Sequence, residues 1–257
     1  MKDYLKHYVI IVETLAPLFI GCGEKLGKKE YVYNRNEKQA YIMDVSRMYA
    51  EILKKRLGPS YETYLLKENK DLLIWMRENQ VSKSEYKNWT KYQLDCSDAE
   101  IYGKNKEISL FTKDPYGNPY IPGSSLKGAL RTILLGADLK KSFTGRGTTE
   151  QIKNNSRIRT SRKKYLAREV KELESEVFHT LNWKKSKKQD AVNDELSGLR
   201  ISDSEPLTTK DLILCQKIDR NISGTERKMP LLRECLKPKT KVKFQLTIDE
   251  TICDYTV

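Results

Sequence analysis

Apolar residues recur along this chain at two spacings, and those spacings divide it into strands and helices. Residues 5–14, LKHYVIIVET, alternate and then run apolar, which predicts a partly buried strand. The next stretch, LAPLFIGCGEKLGKKE, is broken by Pro17, Gly21, Gly23 and Gly27 and predicts a loop. EYVYNRNEKQAYIMD predicts a hairpin, two short strands around a polar NRNEK turn. Asp44 can cap a helix reaching about Leu57, with Val45, Met48, Ile52 and Leu57 towards the core, and Gly58-Pro59 is expected to stop it. Residues 60–95 predict a set of short helices with Trp75, Met76 and Trp89 in the core.

The second half has more strands. ISLF (108–111) predicts a short strand, DPYGNPY a turn, and Tyr120-Ile121 a return to strand. The segment after Pro122 predicts a helix to about Leu135. Residues 140–188 carry NNSRIRTSRKKYLAREV and WKKSKKQD, which predict a flexible basic insertion around a helix near 162–182. LRIS (199–202), DLILCQKI (211–218) and KMPLLREC (228–235) have strand character, and the last two can pair as a long hairpin across RNISGTER. KTKVKFQLTID places Val242, Phe244, Leu246 and Ile248 on one face and Lys241, Lys243, Gln245 and Thr247 on the other, a half-buried antiparallel strand. This order predicts an α+β sandwich with helices on one face of an antiparallel sheet. No internal repeat or sharp boundary is visible.

Charge turns the reading towards polyanions. The chain has 48 Lys+Arg against 35 Asp+Glu, a net charge of +13. Such an excess favours nucleic acid first and anionic membrane second. No stretch approaches the roughly 18 apolar residues of a membrane span, and no signal peptide is evident, so a cytoplasmic protein is expected. Five scattered cysteines form no CxxC and suggest free thiols rather than zinc. With two histidines, His7 and His179, a His-rich metal site or Ser-His-Asp triad is not expected, and no cofactor is implied.

Two loops carry candidate chemistry. In YIPGSSLKGALR (120–131), Gly123 permits a tight turn and Ser124 or Ser125 can cap the helix, leaving first-turn N–H groups facing outward as an anion site. Lys127 and Arg131 share a face at i, i+4, and Gly128 admits close backbone approach. IGCGE (20–24) is a second glycine loop without the spacing of a dinucleotide site or a P-loop.

Taken together, PLFIGCGE and YIPGSSLKGALR resemble the RAMP superfamily of CRISPR-associated RNA-binding proteins. RISDSEP (200–206), LILCQKIDR (212–220) and MPLLRECLKPKTKVKFQL (229–246) look like those of the fifth-subunit family of type III-A Csm complexes. The resemblance covers most of the chain outside 60–100 and 140–190. It implies a ferredoxin-like (RRM-like) core, α+β, with inserted helices and a long β-hairpin. It implies one RAMP-type domain over 1–257, with a helical insertion about 58–100 and a basic, partly flexible one about 140–195. Family members usually continue past DYTV, so the core sheet is expected to lack elements.

The resemblance also implies a function. Such a subunit caps the filament of backbone subunits at the crRNA 3′ region and supports crRNA maturation and assembly. The implied partners are crRNA, target RNA near the crRNA 3′ region, the Csm backbone and small subunits, and host nucleases that trim crRNA; no membrane is involved. The implied RNA contacts are Gly21, Gly23, Lys25, Gly123, Ser124, Ser125, Lys127, Arg131, Lys217, Arg220 and Arg233.

Backbone paralogues cut RNA with an acid after the first glycine loop. Here that region offers Glu24 and Glu30 but no Asp before Asp44, so a non-catalytic subunit is expected. The alternative is a RAMP-type endoribonuclease acting on crRNA precursor or target RNA, for which His7 is a candidate. A protein scaffold without RNA contact is a third reading. Asp203, in the SDS turn, is expected to form an Asx- or Ser-type turn, the alternative being that the turn lines the RNA path and holds an Arg or Lys in place.

Overall fold

The computed structural model describes residues 4–96, 99, 101, 107–141 and 167–253. They fall into two compact units, one of residues 1–11, 121–205 and 243–257, the other of residues 12–120 and 206–242.

The first unit holds a three-stranded sheet in the order β1-β10-β7, with β1 at Leu5–Glu13, β7 at Leu199–Ile201 and β10 at Lys241–Asp249. β10 and β7 are antiparallel, with Leu246 opposite Ile201 and Ile248 opposite Leu199. Helices α5 (Gly123–Lys141), α6 (Ala167–Phe178) and the short α7 (Glu250–Cys253) belong to this unit. Of the alternating face in β10, Val242 and Phe244 are buried and Leu246 and Ile248 half-buried.

The second unit is built on a seven-stranded sheet in the order β2-β6-β9-β8-β5-β4-β3. Its strands are β2 (Gly21–Leu26), β3 (Tyr31–Asn34), β4 (Gln39–Met43), β5 (Thr90–Asp95), β6 (Ile108–Phe111), β8 (Leu212–Arg220) and β9 (Glu226–Leu236). The sheet is mixed rather than antiparallel: β5 runs parallel to β8 at Asp95–Ile213, and β6 parallel to β9 at Ile108–Leu232. β8 and β9 pair antiparallel from Leu212–Leu236 out to Arg220–Glu226.

Among the described residues of this unit, four helices pack: α1 (Val45–Lys54), α2 (Gly58–Lys67), α3 (Leu72–Glu78) and α4 (Lys83–Asn88). Asp44 caps α1 by accepting from Arg47 N at 3.0 Å. Met48 and Ile52 are fully buried, one turn apart, as their spacing predicts, whereas Val45 is about half exposed. Gly58-Pro59 opens α2 instead of closing α1, because proline is pre-organised for a first helical turn where its missing N–H is harmless. Trp75, Met76 and Trp89 are core residues. Tyr61 meets the Trp75 ring edge-on at 5.0 Å and Tyr64 stacks on it at 5.7 Å, each pair adding about 1 kcal/mol beyond area burial.

Two strands depart from the helix and loop expectations. Residues 21–26 form an edge strand, not a loop, and residues 90–95 form a strand inside the sheet, not a helix. Tyr120-Ile121 is not strand, and α5 runs six residues beyond Leu135. The central part of the expected basic insertion, 142–166, lies outside the described residues.

Candidate nucleic-acid interface

In the first unit, the start of α5 is pinned by the RISDSEP segment. Gly123 N donates to Asp203 Oδ1 at 2.8 Å, and Ile121 N donates to Ser204 Oγ at 2.9 Å. Ser202 is tied to β10, its N–H donating to Gln245 O at 2.9 Å and its Oγ accepting from Gln245 N at 3.0 Å. Gly123 is required by this closeness. A Cβ there would stand 2.3 Å from Ile201 O and 2.4 Å from Ser202 O.

The serines therefore do not cap α5 as expected. Ser124 and Ser125 are exposed, the Pro122 carbonyl accepts from Ser125 N and Leu126 N, and a carboxylate already meets the positive end of the helix at Gly123. Asp203 caps a helix eighty residues earlier where a local turn is expected.

Lys127 and Arg131 share a face, but that face turns inward. Lys127 Nζ donates to Leu196 O and Leu199 O, both at 2.7 Å. Burial, with Arg131 and Arg200 nearby, holds its pKa below the ordinary lysine value despite Asp194. Arg131 Nη1 pairs with Asp194 Oδ2 at 2.7 Å, and its guanidinium lies 4.4 Å from the centroid of the Phe178 ring. Both cations bind α5 to the 194–199 segment and α6, so the expected free pair behind the PGSS turn is engaged within the protein. Gly128 faces open space.

In the second unit, β2 is an edge strand whose residues 21–25 are all exposed. Its pairing with β6 shifts between Gly21 and Lys25, and Gly23 sits in that irregularity at φ +91, a conformation that favours glycine. Gly21 accommodates the Phe19 ring, which would lie 2.8 Å from a Cβ. Arg233 stacks over that same ring at 5.0 Å. Lys25 pairs with Glu107 at 2.9 Å. Thus Gly21 and Arg233 are brought together through Phe19.

Further along the β8–β9 pair, residues 218–223 and 225–228 are exposed. Gly224, at φ +87, completes the turn, in which Asn221 N donates to Thr225 O and Gly224 N to Asn221 O. Lys217 pairs with Asp219 at 2.8 Å, and Arg220, Arg227 and Lys228 lie on the exposed end beside Glu226.

Sequence reasoning missed a buried charge at the base of this pair. Glu234 on β9 is completely buried and accepts from Tyr92 Oη, Lys113 Nζ and Phe111 N, the last at 3.0 Å. Burial, then the Glu234 charge, push the Tyr92 phenol above its ordinary pKa. One carboxylate so ties β5 and β6 to β9.

The sequence profile of the RAMP superfamily matches residues 11–252. The chain belongs to the RAMP superfamily, among its Csm5 proteins. It is 31% identical to the "CRISPR system Cms protein Csm5" of Streptococcus thermophilus, covering 96% of this chain and 65% of that protein. Against the same protein of Mycobacterium tuberculosis (strain CDC 1551 / Oshkosh) the identity is 31%, over 97% of this chain and 68% of the relative. The chain thus spans about two thirds of the length of these relatives. In fold it resembles a chain in the "Cryo-EM structure of Csm-crRNA-target RNA ternary complex in type III-A CRISPR-Cas system", with TM-score 0.63 and 24% identity, over 93% of this chain and 63% of that one.

For a RAMP protein the candidate catalytic groups are informative. Glu30 Oε2 accepts from Gly27 N at 2.6 Å and closes the turn after β2, while Glu24 is exposed on that strand. His7 Nδ1 lies 3.0 Å from Thr247 Oγ1 on the β1–β10 sheet. Among the described residues, no group of three or more His, Cys, Asp or Glu side chains is placed to hold a metal ion, and no helix is long and apolar enough to cross a membrane. Burial pushes the Cys96 thiol up to about 12, and a hydrogen bond with Cys215 raises Cys235, so neither offers a ready thiolate at neutral pH.

Proposed function

We propose that this chain is a crRNA-binding subunit of a type III-A Csm ribonucleoprotein. It caps the filament of backbone subunits at the crRNA 3′ region and supports crRNA maturation and assembly without cutting RNA itself. Target RNA near the crRNA 3′ region and the Csm backbone and small subunits are its other partners, with host nucleases trimming the exposed crRNA end.

The observation that carries this reading is the β8–β9 pair. Its exposed end holds Arg220, Arg227 and Lys228 against Glu226, with half-buried Lys217 paired to Asp219 beside it, a cationic arm suited to a phosphate backbone. The bulged edge at Gly21 and Gly23, where backbone rather than side chain meets solvent, supports a second approach by an RNA strand. The exposed Ser124 and Ser125 supply hydroxyls at the α5 start, with Lys127 and Arg131 holding that helix in position. The non-catalytic part is supported by the hydrogen bonds that already engage Glu30 and His7. In the first unit, the succession β1, α5, β7, β10, α7, with α6 inserted between α5 and β7 and with β10 central, supports a ferredoxin-like core.

The test is co-purification. A tagged chain expressed with its native CRISPR locus should bring down RNA of defined length together with the other Csm-type subunits. Recovery of the chain alone and free of RNA would contradict the assignment.

A further inference from the structure

The second unit contains a polar cleft that none of the sites above uses. β5 and β8 pair at one position, Asp95–Ile213. The 3₁₀ turn Thr209–Asp211 that precedes β8 brings Thr209 and Lys210 beside the β5 residues Lys91, Gln93 and Asp95. The result is a cleft of about 470 Å³, within the size range of small-ligand sites.

Its lining is cationic. Lys91, Lys210 and Lys237 face it, against one lining carboxylate, Asp95. Other lysines of this unit pair with acids, as in Lys25–Glu107, Lys83–Glu37 and Lys113–Glu234, or with backbone carbonyls, as Lys29 does with Tyr64 O and Leu65 O. Among the described residues Lys91, Lys210 and Lys237 have no carboxylate within 4.0 Å. Lys237 Nζ is fixed by donating to Lys210 O at 2.5 Å, which leaves two of its three donors for a ligand. Lys91 runs beneath the Asp114–Asn118 turn, where Gly117 at φ +88 leaves it room: its Nζ would be 3.6 Å from a Cβ. Gln39, Gln93 and Thr209 add amide and hydroxyl groups that can both donate and accept.

We infer that this cleft binds a segment of single-stranded RNA, its phosphates on the three lysines and its base edges or 2′-hydroxyls on Gln39, Gln93 and Thr209. The inference rests on the RNA-binding reading above and adds to it a contact separate from the hairpin end and the α5 start. The lining favours RNA over an acidic protein segment. It offers no apolar anchor pocket of the kind protein hot spots fill, since Leu212 is 1% exposed and the Tyr92 hydroxyl is committed to Glu234.

The test compares the purified chain with a Lys91→Ala/Lys210→Ala/Lys237→Ala variant, its Lys→Arg counterpart and an Arg220→Ala/Arg227→Ala/Lys228→Ala variant. Binding of a uridine oligonucleotide is measured across a salt series. The cleft Ala variant should bind about ten- to a hundredfold more weakly at low salt, with a log–log salt slope shallower by about 2, and the Arg variant should restore both. A 4-thiouridine oligonucleotide should crosslink to peptides containing residues 91–95 or 209–212. An Ala variant that binds with wild-type affinity and slope, while the hairpin variant loses both, would overturn the cleft and leave the RNA-binding reading standing. Unchanged RNA binding with loss of polyglutamate binding would make the cleft a protein-docking site and overturn the inference. A wild-type chain that binds no RNA would remove both readings together.

Discussion

The carboxylate of Asp203 accepts the backbone N–H of Gly123 at 2.8 Å, so the two sequence blocks most distinctive of this chain, PGSS and SDS, meet at one helix start. The contact replaces the serine cap that the sequence suggests. Asp203→Ala should lower stability by about 1 kcal/mol, the usual worth of a cap, whereas Ser124→Ala should be near neutral. Gly123→Ala should cost more, about 3 kcal/mol, because its Cβ would meet two backbone carbonyls that no rotamer change can move. Urea denaturation of the three variants checks the order.

Glu234 makes a second prediction. Glu234→Ala leaves the Lys113 ammonium and two further donors facing a cavity and should destabilise by about 3–5 kcal/mol. Replacing both charges, as Glu234→Leu with Lys113→Met, should recover much of that loss. If the double variant is no better than the single one in denaturant unfolding, the charge pair is not the source of the cost.

Glu85 should make the helical part of the second unit acid-sensitive. Hydrogen bonds from Lys55 and then from Ser82 hold its pKa at about 2 instead of 4.5. A depressed carboxylate contributes stability above its unfolded pKa and loses it as pH falls through the folded value. Wild-type stability should therefore decline more steeply than that of Glu85→Gln between about pH 5 and pH 2, as thermal melts across that range would show.

The exposed end of the β8–β9 pair predicts electrostatics without structure. Arg220→Ala/Arg227→Ala/Lys228→Ala should leave the melting temperature nearly unchanged and flatten the salt slope of RNA binding by about 2, equally for unrelated sequences. A loss confined to one sequence would point to base readout instead.

Where a single period dominated, the sequence was legible. Met48 and Ile52 declared the buried face of α1, and the alternation of β10 declared Val242 and Phe244. β2 was not legible because an edge strand with a bulge at two glycines has no inward face to write into its pattern. β5 was hidden because both of its sheet neighbours, β4 and β8, are remote from it in sequence, separated from it by α1 to α4 on one side and by over a hundred residues on the other. Glu234 did leave a signal: it shares the inward parity of Leu232 and Leu236 on β9, so a charge was already placed among core positions. The cations of α5 show the opposite limit. Spacing put Lys127 and Arg131 on one face, but only the fold reveals that Leu196, Leu199 and Asp194 stand opposite them.

The central claim, an RNA-binding subunit that does not cut, is tested most directly by one assay. The purified chain is incubated with labelled crRNA and with complementary target RNA, in Mg²⁺ and in chelator, and binding and cleavage are read from the same samples, with Glu30→Ala alongside. The account predicts salt-sensitive, sequence-independent binding, with both RNAs intact under every condition. Cleavage by the wild-type chain that Glu30→Ala abolishes would contradict it and make Glu30 a catalytic carboxylate.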